Sequence, residues 1–180
     1  MQLNPADDTV IPATLEDTDS IVKLSATVQD ALTTSGSLQI IGPLKPEIVR
    51  AEISDKRCYI IKDTSVLTAC AFYRQMTAEF ISKEYEGRVL DIAMHPEPWL
   101  YLHSVVLRPD MQGRGLGNVL MAVVAHQISQ SLRRGTLFLD CWAGNDKLRA
   151  FYTRAGFRFV EDVPKKDYVV TLFCRRLEER

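Results

Sequence analysis

The four cysteines, at positions 58, 70, 141 and 174, include no C-x-x-C pair. Each lies in an apolar, strand-like run, so buried reduced thiols are expected rather than disulfides or a thiolate metal site. His95, His103 and His126 show no ligand spacing with them, and no metal is implied. No apolar run approaches the ~20 residues a membrane-spanning helix needs, and the first residues carry no basic-then-apolar signal pattern. A cytoplasmic protein with no membrane partner is the expectation. Internal repeats and low-complexity tracts are also lacking. A net charge of −1 and a pI near 6.3 speak against nucleic acid as a partner, and no recognition-motif spacing supports one.

The chain has 180 residues, 46% of them hydrophobic and 25% charged, which suits one globular domain large enough to bury a proper core. Its near-zero charge hides an asymmetry. Residues 1–107 hold 9 basic and 15 acidic side chains, residues 108–158 hold 8 and 3, and the rest balance. A basic segment of this kind suits a polyanionic ligand.

That basic segment contains 105–118, the most informative stretch. Leu102 to Leu107 is apolar and β-branched apart from His103 and Ser104, and reads as a buried strand. Pro109 ends it because proline has no N–H to donate. Gly113, Gly115 and Gly117 alternate, and helical periodicity follows at Val119, Leu120, Val123, Val124 and Ile128. Strand, glycine-rich turn and helix bring free N–H groups and a positive dipole end to one place, which suits a phosphate. A dinucleotide turn of the form G-x-G-x-x-G does not match, since the third glycine comes one residue early. A P-loop does not match either, because Asn118-Val119 stands where Lys-Ser/Thr is needed.

The hexapeptide Gln112-Gly113-Arg114-Gly115-Leu116-Gly117 resembles the Q/R-x-x-G-x-G/A signature of the GNAT superfamily of N-acyltransferases. A second block strengthens the resemblance. Leu139-Asp140-Cys141-Trp142-x-x-Asn145, then Leu148-x-x-Phe151-Tyr152-x-x-x-Gly156-Phe157, is similar to the family's N-x-x-A-x-x-F-Y-x-x-x-G-F, with Leu148 where alanine is common. The clear likeness covers about 100–160; before it, only the order of elements agrees.

The resemblance implies an α/β (α+β) fold, with a mixed, mostly antiparallel sheet of six to seven strands and about four helices. It implies a single domain over 1–180, with an acceptor-side half at 1–98, an acetyl-CoA-binding core at 99–160 and a C-terminal strand and tail at 161–180. The strands ending at Leu107 and Trp142 would splay apart. Acetyl-CoA would be the co-substrate and a primary amine the acceptor, and a homodimer stays open. Pantetheine would pair with the 105–107 backbone (Val105, Val106, Leu107), chiefly at Val105 and Leu107. Gln112, Gly113, Arg114, Gly115, Leu116, Gly117 and Asn118 would hold the pyrophosphate. Arg114 either meets phosphate or is solvated. Asn145 either reaches the pantetheine arm or simply caps a helix. Tyr152 would donate a proton to the departing thiolate, or serve as a core tyrosine. His103 shares strand parity with Val105 and Leu107, and is either the base or a core or rim residue. Two other classes remain open: a non-catalytic acyl-CoA-binding regulatory module, and a binder of nucleotide phosphates.

Elsewhere the reading is coarser. Residues 1–9 read as loose, and 9–14 as an edge strand that tolerates Pro12. Asp17 to Ser20 offer caps to a helix with Ile21, Leu24, Val28 and Leu32 on one face. Pro46 opens a second helix with Ile48, Val49 and Ile53 apolar. Strands are expected at 57–62, 66–75, 136–142, 157–160 and 168–174. A helix over 118–132 should end at Arg133-Arg134, with Gly135 as a left-handed cap. Residues 77–99 extend a hairpin, form a short helix or make a loop over the site. Their Glu79, Glu84, Glu86, Asp91 and Glu97 either line a solvated connection or attract a cationic amine.

Overall fold

The computed structural model describes residues 10–85, 92–132 and 134–178. The readings made for 1–9, Glu86, Asp91 and Arg133 fall outside them. The elements are β1 (Val10–Pro12), α1 (Thr18–Thr34), α2 (Pro46–Ser54), β2 (Cys58–Asp63), β3 (Val66–Gln75) and α3 (Ala78–Glu84). They continue with β4 (Trp99–Leu107), α4 (Leu116–Ser131), β5 (Arg134–Trp142), α5 (Asp146–Arg154), β6 (Arg158–Pro164) and β7 (Val169–Glu178). Seven strands are hydrogen-bonded in the order β1-β2-β3-β4-β5-β7-β6. The β1–β2, β2–β3, β5–β7 and β6–β7 pairs are antiparallel, and β4–β5 is parallel. This is the mixed, mostly antiparallel sheet expected, with these five helices among the described residues; the additional one is α3, inside the undecided 77–99. Among the described residues no helix is long and apolar enough to cross a membrane.

The chain forms two compact units, 1–72 with 103–124, and 73–102 with 125–180. In the first, Ile21, Leu24 and Val28 of α1 pack with Val49 and Ile53 of α2, strands β2 and β3, and Val106. Ile48 corrects the expected apolar face of α2: it is 51% exposed, and Glu52 is buried in its stead. Positions 49, 52 and 53 share the inner face by helical spacing, and Arg57 Nε binds the Glu52 carboxylate at 2.7 Å. At the start of α1, burial works against the charge of Asp17. Hydrogen bonds from Lys62 and Thr14 outweigh it, holding this carboxyl below its usual range.

In the second unit, α3 lies on the sheet face formed by Phe138, Val170, Leu172 and Cys174, which gives Ile81 and Tyr85 their burial. Thr77 caps α3 by accepting from the Phe80 N–H. Gly135 is the second correction. It is not a left-handed cap but a residue of β5, paired with Leu177. Backbone pairing wins over the local cap signal there, and a Cβ at 135 would stand 2.9 Å from the Pro98 carbonyl oxygen. Gly135→Ala should therefore destabilise the protein by about 1–3 kcal/mol, as overpacking typically does. A denaturant melt reads this; an unchanged midpoint would show that 98 and 135 separate easily.

Candidate active site

The glycine stretch lies wholly in the first unit. The Arg108 N–H still donates to the Thr68 carbonyl at 2.9 Å, so β4 keeps its pairing until Pro109 removes the next donor. A 3-10 turn over Pro109–Met111 follows, with Arg108 ion-paired to Asp110. Gly113 at φ 78° and Gly115 at φ 86° then take the left-handed conformation, which a Cβ disfavours. Open space surrounds both positions. Gly117 differs, since it already belongs to the first turn of α4. The first backbone N–H to find a carbonyl is that of Asn118, to Gly115 at 3.0 Å. Among the described residues nothing accepts from the N–H groups of Gly113, Arg114, Gly115, Leu116 and Gly117. Five successive donors, at and just before the positive end of a 16-residue helix, are therefore without an acceptor among the described residues. Gln112, Arg114 and Asn118 are exposed around them, while Leu116 anchors the turn in the core.

Upstream, Val106 is fully buried, whereas Val105 and Leu107 are half-exposed. His103 stacks on Phe72 with ring centroids 5.7 Å apart, and its Nδ1 lies 3.3 Å from the Ser104 hydroxyl. Ser104 has φ 48° within the strand. This left-handed residue interrupts the two-residue alternation, so the parity linking His103 to Val105 and Leu107 does not carry across it. Serine is not a habitual left-handed residue, and the sequence gives no signal of the interruption.

Asn145 and Tyr152 belong to the second unit. Asn145 Oδ1 accepts from the Leu148 N–H at 3.0 Å and caps α5. Tyr152 is 5% exposed, its ring set among Phe151, Phe157 and Phe173. Among the described residues its hydroxyl has no hydrogen-bond partner. Burial, then the nearby Cys141 and Asp140, push this phenol above its usual pKa, so it is a proton donor at neutral pH. All four cysteines are buried and free. Burial lifts the Cys70 and Cys141 thiols to about 12, which makes them inert at neutral pH.

The sequence reading passed over Asp140. Tyr85, just after α3, donates its hydroxyl to Asp140 Oδ2 at 2.9 Å, and Tyr101 of β4 bonds the same carboxylate. Burial pushes the Asp140 carboxyl above its usual range despite both hydrogen bonds. Lys165 lies 5.0 Å from the Tyr85 ring centre and 3.8 Å from the Glu84 carboxylate. A carboxyl raised in this way, held by two phenols and felt by Tyr152, is suited to proton transfer. The β4–β5 ladder runs from Trp99↔Thr136 to Tyr101↔Phe138, so Asp140 lies two residues beyond its last pair.

The acetyltransferase (GNAT) family model matches residues 33–157, more than half of the chain. The chain belongs to this family. Over 103 residues it is 33% identical to the uncharacterized N-acetyltransferase ycf52 of Gracilaria tenuistipitata var. liui. That region is 57% of this chain and 51% of the relative, so the chain spans about half the length of the curated relative it matches. Solved structures share the fold. A GNAT-family acetyltransferase from Listeria monocytogenes is 22% identical with a TM-score of 0.71, covering 94% of this chain and 95% of that one. Salmonella typhimurium yncA, solved with its cofactor acetyl-CoA, is 14% identical with a TM-score of 0.68, covering 96% and 95%.

Proposed function

We propose that the protein transfers an acetyl group from acetyl-CoA to a primary amine, by direct attack with both substrates bound. The observation that carries this reading is the run of five N–H groups from Gly113 to Gly117 at the head of α4 that meet no acceptor among the described residues, with open space where a Cβ would stand at Gly113 and Gly115. Such donors suit a pyrophosphate. Gln112 to Asn118 hold that group, and the backbone of the half-exposed residues Val105 and Leu107 pairs with pantetheine. Asn145 keeps its Nδ2 for the same arm while its Oδ1 caps α5. On this reading 1–180 works as one domain, with 1–98 the acceptor side, 99–160 the core that takes acetyl-CoA and 161–180 the closing strand and tail. The four free thiols support a reducing compartment, the cytoplasm.

The thioester is already activated, so positioning supplies much of the rate. Tyr152 holds a proton for the departing thiolate. The incoming amine must lose one, and Asp140 takes it better than His103: the carboxyl is raised toward neutrality, whereas the imidazole stacks on Phe72. Asp140 is active only when ionised, so kcat/KM should fall as pH drops through its pKa, above the ordinary carboxylate range. Asp140→Asn keeps an acceptor for Tyr85 and should lower kcat/KM by roughly a hundredfold, at the low end of general base contributions. The acid limb should vanish with it. A variant that retains the limb returns the role to His103.

The reading itself is tested by ligand protection. Acetyl-CoA should raise the melting temperature, while ATP and NAD should not. Equal protection by the nucleotides would instead favour a general phosphate binder.

A further inference from the structure

Arg74, in the second unit, is set apart from the arginines that hold a carboxylate or carbonyl by its packing between two aromatic rings. Arg57, Arg108 and Arg149 each meet a carboxylate, and Arg175 donates to the Ala155 carbonyl. The half-buried Arg74 side chain lies with its guanidinium 4.7 Å from the Phe80 ring centre and 5.8 Å from that of Tyr101. Its Nε is buried without a hydrogen-bond partner. Among the described residues no carboxylate pairs with it. Two aromatic faces fix the plane of a guanidinium while leaving its donor edge unused. That is how arginine is made ready for a planar oxyanion. A buried donor with no acceptor also carries a desolvation cost that an arriving ligand relieves.

The surroundings say which kind of ligand. The Asp140 carboxyl is hydrogen-bonded to Tyr101 and the Arg74 guanidinium lies over the Tyr101 ring, so a carboxyl and a cation meet one phenol. The arrangement complements a molecule carrying an ammonium and a carboxylate. We propose that Arg74 seats a carboxylate of the acceptor, which is therefore an amino acid or a similar amine bearing a carboxylate. The inference rests on the acetyl-transfer reading and names the acceptor class for it. Arg74 binds and orients the acceptor and takes no part in moving protons.

The test compares free amino acids with their own amides as acceptors, for instance lysine with lysinamide and leucine with leucinamide, each with acetyl-CoA. The wild type should favour the acid member of a productive pair by about tenfold or more in kcat/KM, the effect of one charge-assisted bidentate contact. Arg74→Gln should raise the acid's KM to that of the amide. It should leave the amide's KM and the acetyl-CoA KM unchanged. Arg74→Lys, which keeps charge but not the planar fork, should fall between. A second readout needs no turnover: N-acetyl amino acids should protect the CoA-loaded protein against heat more than N-acetyl amino acid amides do. Equal treatment of acid and amide by the wild type, or a preference that survives in Arg74→Gln, overturns the proposal. If acetyl-CoA still binds, only the acceptor class falls; if acetyl-CoA does not bind, the reading beneath falls too.

Discussion

Tyr152→Phe should lower kcat by about 10²–10⁴, the range typical of general acid catalysis, with little change in acetyl-CoA affinity or melting temperature. The substitution is clean because of where Tyr152 stands. Its ring packs against Phe151, Phe157 and Phe173, and phenylalanine keeps those contacts. Its hydroxyl bonds nothing among the described residues, so its removal leaves no internal donor or acceptor stranded. Burial keeps the phenol protonated across the neutral range, so the proton is present when a thiolate departs. A tyrosine that only packs would leave kcat at the wild-type value. Full activity in the variant would move the acid to a water molecule.

Gly115→Val should abolish protection by acetyl-CoA. Gly115 has φ 86°, where a β-branched residue costs roughly 1–2 kcal/mol or more in backbone strain. Relief of that strain turns the neighbouring N–H groups away, and the new side chain fills the open space in front of them. At a hundredfold excess over Kd, a ligand that binds only the native state adds about 2.7 kcal/mol. For a chain of this size that is a rise of about 5–10 °C in Tm. The wild type should show the rise and a folded Gly115→Val should show none. Normal protection in the variant would remove the pyrophosphate from this turn.

Local signals and long-range ones fared differently. The strand, glycine turn and helix at 102–131 were legible because proline, positive-φ glycines and helical periodicity all act within a few residues. The same holds for the Asn145 cap and the face that buries Tyr152. Gly135 misled because glycine after a helix also signals a left-handed cap, and only the pairing with Leu177 puts it into β5. Ile48 misled because the inner face of α2 runs through positions 49, 52 and 53, which leaves 48 on the solvent side. Asp140 lies inside the second motif, yet Tyr85, which binds it, stands 55 residues earlier. Arg74 gave no signal, since Phe80 and Tyr101 reach it only through α3 and β4. Acceptor-side chemistry is assembled by tertiary contacts, whereas the phosphate turn is written in one continuous segment.

Acetyl transfer to an amine is read by the release of thiol from acetyl-CoA. The free thiol of coenzyme A is followed with a thiol-reactive dye while a mixture of primary amines and amino acids is supplied, and acetylated products are identified by mass. Release should depend on protein and amine together, yield N-acetylated product one for one, and fall by about 10²–10⁴ in Tyr152→Phe. Acetyl-CoA that protects the fold while every amine leaves its thioester intact would rule out acetyl transfer and make the chain a non-catalytic acyl-CoA-binding module.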